Sequence, residues 1–194
     1  MYKNIAGEGQ EEIKDGQVFS VEGAALRAVF SPGHTEDHMA LILEEEDAMF
    51  TGDNVLGQGT AVFEDLLTYI KSLEKMKAMF HGRAYPGHGP VIPDGPATIA
   101  DYIQHRQQRE DQVLAVLKSD IHHPDRPYKE KPDEWTSMEI VKIIYRDVPE
   151  NLHDAANRGI LQILHKLQAE DKVIEVEETQ KWRIRQKAVL WSTF

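Results

Sequence analysis

The chain has 194 residues and a mass of 22.1 kDa, with 41% hydrophobic and 28% charged residues, which gives room for one globular domain, or for part of one plus a small second. Cysteine is absent, so disulfides and thiolate metal sites are excluded, and any metal site must use histidine and carboxylate. A formal net charge of -11 and a pI near 5.3 argue against a broad nucleic-acid groove, but not against an enzyme whose metals supply the local positive charge.

Residues 1–16 are polar and contain glycine, and read as a linker or frayed start. They hold neither an apolar h-region nor an Arg-rich amphipathic stretch, so no targeting segment is read in this chain. No apolar run is long enough for a transmembrane helix, so no membrane partner is expected. Val18–Val21, Leu26–Phe30 and Met39–Leu43 read as short strands by alternation and β-branched or aromatic content. Glu44 to Asp47 reads as a solvated hairpin turn before a further strand at Ala48–Phe50. Gly57-Gln58-Gly59 lacks the strand and helix context of a phosphate loop. From about Glu64 to Phe80, Leu66, Leu67, Ile70, Leu73 and Met76 recur at helical spacing. Arg83–Tyr85 is a short strand. A long helix is predicted from Ala97 to Lys118, with Pro96 suited to its first turn. The stretch from Gln104 to Gln112 is so polar that it should lie on the surface.

Ile121 to Trp135 holds three prolines and reads as a linker. Thr136-Ser137-Met138-Glu139 is a capping-box pattern ahead of a helix. A second helical region runs from Pro149 to Ala169, and Lys172–Val176 and Trp182–Ile184 look like two strands around a turn. Helix, helix and hairpin in so short a span is the outline of a winged helix. The final sixteen residues carry Lys181, Arg183, Arg185 and Lys187 with no acid, a small basic patch that reads most simply as a solvated strand edge.

Three predicted strands end on loops of one form. Ser31-Pro32-Gly33-His34 and Tyr85-Pro86-Gly87-His88 deliver a histidine, and Phe50-Thr51-Gly52-Asp53 delivers a carboxylate, each beside a glycine. Imidazole and carboxylate together suit a divalent first-row metal such as zinc. Taken singly, each histidine reads as an ordinary surface group and Asp53 as a turn residue binding backbone N–H groups. His38 reads as a group that holds the loop, outside the metal set. His122 and His123 read as solvated, and His81, His105, His153 and His165 have no partner visible in the sequence.

The segments SPGHTEDH, FTGD and YPGHGP resemble the later motifs of the metallo-β-lactamase superfamily. The phrases DHMALILEEEDAMFTGD, TAVFEDL, YPGHGPVI and MEIVKIIY, with PENLH following, are similar to the endoribonuclease family of beta-lactamase-like protein 2. This resemblance implies an α+β chain: the C-terminal part of an αββα metallo-β-lactamase sandwich over residues 1–118, a linker at 119–135, and a winged-helix-like domain at 136–194. It implies zinc as cofactor, two ions per full-length chain, with His34 on the first, His88 on the second and Asp53 bridging both as the catalytic carboxylate. The implied activity is endoribonucleolytic hydrolysis of single-stranded RNA by metal-activated hydroxide, with the mitochondrial matrix as the implied location.

The superfamily's leading H-x-H-x-D-H signature is absent, since no His-x-His occurs among the nine histidines. The expectation is therefore an N-terminally incomplete chain of an intact enzyme. A truncated product, or a partner chain supplying the other half, are the alternatives. An open half-sandwich is expected to be unstable or to self-associate. Two rival functions stand beside the ribonuclease: a glyoxalase II-like thioester hydrolase using the same metal chemistry, and a non-catalytic nucleic-acid-binding module built from residues 120–194.

Overall fold

The computed structural model describes residues 2–119 and 134–186. The chain divides into two compact units, Met1–Arg106 and Gln107–Phe194. The first begins with a parallel pair of two-residue strands, β1 (Tyr2–Lys3) and β2 (Glu11–Glu12), where the sequence predicts only a linker. Polar ties that leave no periodic signature hold this segment. Ile13 N–H donates to the Lys3 carbonyl, Asn4 Nδ2 donates to the Asp37 carbonyl at 3.2 Å, and Lys3 pairs with Asp37 at 3.5 Å.

The main sheet has the order β3-β4-β5-β6-β7. Strands β3 (Val18–Val21), β4 (Ala24–Phe30), β5 (Met39–Leu43) and β6 (Ala48–Gly52) form an antiparallel meander. The acidic run between β5 and β6 is a 3₁₀ turn, Glu44–Glu46, closed by Asp47 at φ 48°. Asp47 also gives His81 the partner that the sequence does not show, at 3.0 Å from its Nδ1. Helix α1 (Leu66–Lys77) starts where the Asp65 carboxylate accepts the Thr68 N–H, and crosses to β7 (Ala84–Pro86), which pairs parallel with β6.

Register assigns the faces of this sheet. Val29, Ala40, Ile42, Met49 and Ala84 share one face and are all buried. They join Leu66, Tyr69, Leu73 and Met76 of α1, Phe80 and Ile99 in the core. The opposite face carries Val21, Leu26, Phe30, Leu41, Leu43, Phe50 and Tyr85, none of them buried. Strands β4, β6 and β7 all run in one direction, because two antiparallel steps separate β4 from β6 and a parallel one joins β6 to β7. Their C-terminal ends therefore share one edge of the sheet, and the loops that follow them gather there.

Helix α2 (Gly95–Lys118) begins in the first unit and ends in the second. The second unit continues with α3 (Ser137–Ile144), α4 (His153–Ala169) and the hairpin β8 (Val173–Val176) and β9 (Lys181–Ile184). Thr136 and Glu139 close the capping box at α3, and a 3₁₀ turn at Glu150–Leu152 precedes α4. Trp135 bridges to Trp182, and both are buried with Ile140, Val141, Ile160, Leu164, Leu167 and Val173. One expectation is corrected here. Within the polar stretch Gln104–Gln112, Glu110 is buried, because Lys166 and Lys172 reach its two carboxylate oxygens at 2.5 and 3.0 Å. His122, His123, most of the predicted linker and Lys187 lie outside the described residues. Among the described residues no helix is long and apolar enough to cross a membrane.

Candidate metal centre

The loops after β4, β6 and β7 bring His34, Asp53 and His88 together at the shared sheet edge. Asp53 lies between the two histidines: its Oδ2 is 3.7 Å from His34 Nε2 and its Oδ1 is 3.5 Å from His88 Nε2. His34 and Asp53 are each about a third exposed and His88 is more open, so the cluster is reachable from solvent.

His34 Nδ1 lies 2.9 Å from the Val62 carbonyl. A carbonyl only accepts, so Nδ1 carries the proton and Nε2 presents a lone pair. That lone pair faces a carboxylate oxygen, another acceptor. The donor types fit a divalent first-row ion, and a carbonyl on Nδ1 is the kind of outer contact that would orient an imidazole whose Nε2 held one. The number of donors falls short. Among the described residues no group of three or more His, Cys, Asp or Glu side chains is arranged to hold a metal ion. Each His–Asp pair supplies two donors where a catalytic zinc takes three and a water.

The backbone around the cluster is tightly packed. Gly52 sits at φ 53°, and a Cβ there would lie 2.5 Å from His38 Nε2. A Cβ at Gly87 would lie 2.5 Å from Asp53 Oδ1. The Gly57 N–H donates to the His88 carbonyl at 2.9 Å, and the Gly87 N–H to the Gly52 carbonyl at 2.9 Å. His38 borders the cluster, near enough for both His34 and Asp53 to act on its imidazole. Its Nδ1–H reaches the Ser31 carbonyl at 3.1 Å and the Ser31 hydroxyl at 3.0 Å. Burial holds its imidazole below the ordinary value, against the opposing effect of the Ser31 contact.

One residue of this edge goes unnoticed in the sequence. Asn54 is fully buried and joins the His34 loop to the Asp53 turn through both ends of its side-chain amide. An Asn after an Asp in a turn has no distinguishing local signal, since its partners are remote in the chain.

Residues 136–182 match the model of the beta-lactamase associated winged helix domain. The chain is 44% identical over 178 residues to the lactamase-like protein adaB of Aspergillus niger, covering 91% of this chain and 56% of that protein. It is also 44% identical over 174 residues to an atrochrysone carboxyl ACP thioesterase of Aspergillus chevalieri, covering 89% of this chain and 55% of the relative. A metallo-beta-lactamase family protein from Thermus thermophilus shares the fold with a TM-score of 0.67 at 22% identity, over 92% of this chain and 55% of that one. The chain resembles these lactamase-like proteins and shares the metallo-β-lactamase fold. It spans about half the length of the curated relatives it matches. Its α+β architecture, sheet and helices followed by a winged-helix domain, agrees with that placement. These likenesses support the superfamily; none of the relatives described here bears the name of the endoribonuclease family.

Proposed function

We propose that this chain carries part of the metal-dependent active site of a hydrolase that cleaves an acyl thioester on a carrier protein. The observation that carries the hydrolase reading is the Asp53 carboxylate held between the Nε2 atoms of His34 and His88. A divalent ion bound by such residues polarises an acyl oxygen and lowers the pKa of water toward about 7. The residues of this chain do the holding. His34 is locked in one tautomer by the Val62 carbonyl, and Asp53 offers one oxygen to each side. The remaining ligands must come from outside the described residues.

The substrate class comes from the relative named as an ACP thioesterase. Thioester hydrolysis adds water across the C–S bond and yields a carboxylate and a thiol. The second reading is a zinc endoribonuclease acting on single-stranded RNA, with a mitochondrial address. It rests on the phrases TAVFEDL and DHMALILEEEDAMFTGD.

The test sets a zinc-supplied form that spans the full length of the curated relatives, and its Asp53→Ala variant, against three substrates: an acyl-carrier-protein thioester, a glutathione thioester and an unstructured RNA. The expected result is thiol release from the carrier thioester, intact RNA, and loss of turnover in Asp53→Ala. Cleavage of the RNA with the thioesters untouched would exchange the first reading for the second. Thiol release undiminished in Asp53→Ala would remove Asp53 from the site.

A further inference from the structure

We propose that Asn54 is a positioning residue of this centre: its side-chain amide fastens the His34 loop to the turn carrying Asp53 and so sets the spacing between the two. The inference rests on the reading of His34 and Asp53 as a shared site, because a fixed spacing matters only to groups that act on one ligand.

Asn54 follows Asp53 directly in the chain and is wholly buried. Its Oδ1 accepts the backbone N–H of His34 at 2.9 Å, and its Nδ2 donates to the Ser31 carbonyl at 2.6 Å. One rigid amide thus grips the preceding loop at both ends of the Ser31–His34 turn. The Asn54 carbonyl is gripped in its turn, by the Tyr69 hydroxyl at 2.6 Å. Tyr69 is buried in α1, and that burial pushes its hydroxyl well above the ordinary range, so it stays a donor. A path of hydrogen bonds therefore runs from the core face of α1 through Asn54 to the backbone nitrogen of His34. With the His34 backbone fixed by Asn54 and its Nδ1 fixed by Val62, both ends of the residue are set and Nε2 is aimed at Asp53.

The same loop offers an internal control. The Ser72 hydroxyl donates to the Pro32 carbonyl at 2.6 Å, which ties α1 to the loop without touching the Asp53 turn. If Asn54 only stabilised the loop, losing either tie would act alike.

The experiment compares wild type with Asn54→Ser, Tyr69→Phe and Ser72→Ala, using NMR on the metal-free protein, thermal melting and cobalt(II) titration followed by its visible spectrum. In wild type and Ser72→Ala the His34 ring should show contacts to Val62, and in Asn54→Ser these should be lost while shifts of the β4–β6 core persist. Cobalt affinity should fall about 10–100-fold in Asn54→Ser and less than about twofold in Ser72→Ala, the separation expected of an outer-shell residue. Equal losses in both variants, in step with melting temperature, would overturn the proposal. Should wild type bind no cobalt, the NMR contacts decide alone: their selective loss upholds the role of Asn54 and removes the metal reading, and their retention overturns that role. If Asn54→Ser does not fold, Tyr69→Phe replaces it under the same criteria.

Discussion

Asp53 turns one carboxylate oxygen to each of two imidazoles, and the room for this comes from a missing side chain opposite. A methyl group at Gly87 would lie 2.5 Å from Asp53 Oδ1, well inside contact distance. Gly87→Ala must therefore push the carboxylate away from His88, without disturbing the buried sheet face. The expected outcome is cobalt(II) affinity lowered by about 10–100-fold with the far-UV spectrum unchanged, read by titration. Wild-type affinity in that variant would mean that Asp53 can bind from another rotamer. His34, Asp53 and His88 could be picked out in the sequence because each follows a glycine at the end of an apolar run, a purely local pattern. Asn54 could not, because Ser31 and Tyr69 become its neighbours only when β4, β6 and α1 assemble.

Elements with a local chemical signature were readable, and those held by remote partners were not. The α3 start is written in four residues, and the Thr136 side chain does accept the Glu139 N–H while Glu139 returns the bond. Thr136→Ala should cost about 1 kcal/mol of stability in the second unit, measured by urea unfolding followed through tryptophan fluorescence. No measurable change would mean that Trp135 and its bridge to Trp182 alone set where α3 begins. Glu110 shows the opposite case: its own stretch of α2 is polar, and only α4 and the start of the hairpin reveal why it is buried. It shares Lys166 and Lys172 with Glu170, which lies 2.7 Å from each. Burial would raise the Glu170 carboxyl, but hydrogen bonds from Lys166 and Lys172 outweigh it and hold the group below its ordinary value. A depressed folded value means that the ionised group stabilises the fold above the ordinary carboxylate range. That contribution is lost as pH falls through the folded value. Lys172 is raised, chiefly by its hydrogen bond to Glu170, so its contribution holds at neutral pH and goes only as pH rises through the raised value. Melting curves of wild type and Glu170→Gln should therefore differ at neutral pH and converge in acid. Curves that stay parallel into acid would show that the pair contributes packing and not charge.

At the scale of the whole molecule, the main sheet has two faces of unequal fate. One is sealed at Val29, Ala40, Ile42, Met49 and Ala84, all essentially inaccessible. The other leaves Val21 75%, Phe50 40% and Phe30 37% exposed, with Leu26, Leu41, Leu43 and Tyr85 half-buried around them. Phe50 and Tyr85 stack at 5.0 Å, which covers part of each ring but does not bury either. Exposed apolar area of this kind is what soluble surfaces avoid, and it drives association. The net charge of -11 opposes that association at low salt and is screened as salt is added. Sedimentation velocity of the 194-residue chain should thus show a weight-average coefficient that rises with concentration, and rises more steeply at high salt. Phe50→Glu places a charge in the middle of the open face while leaving the sealed face intact, so it should return the chain toward a concentration-independent monomer. A wild-type coefficient that is flat with concentration at both salt levels would sink the argument that this face is free to associate.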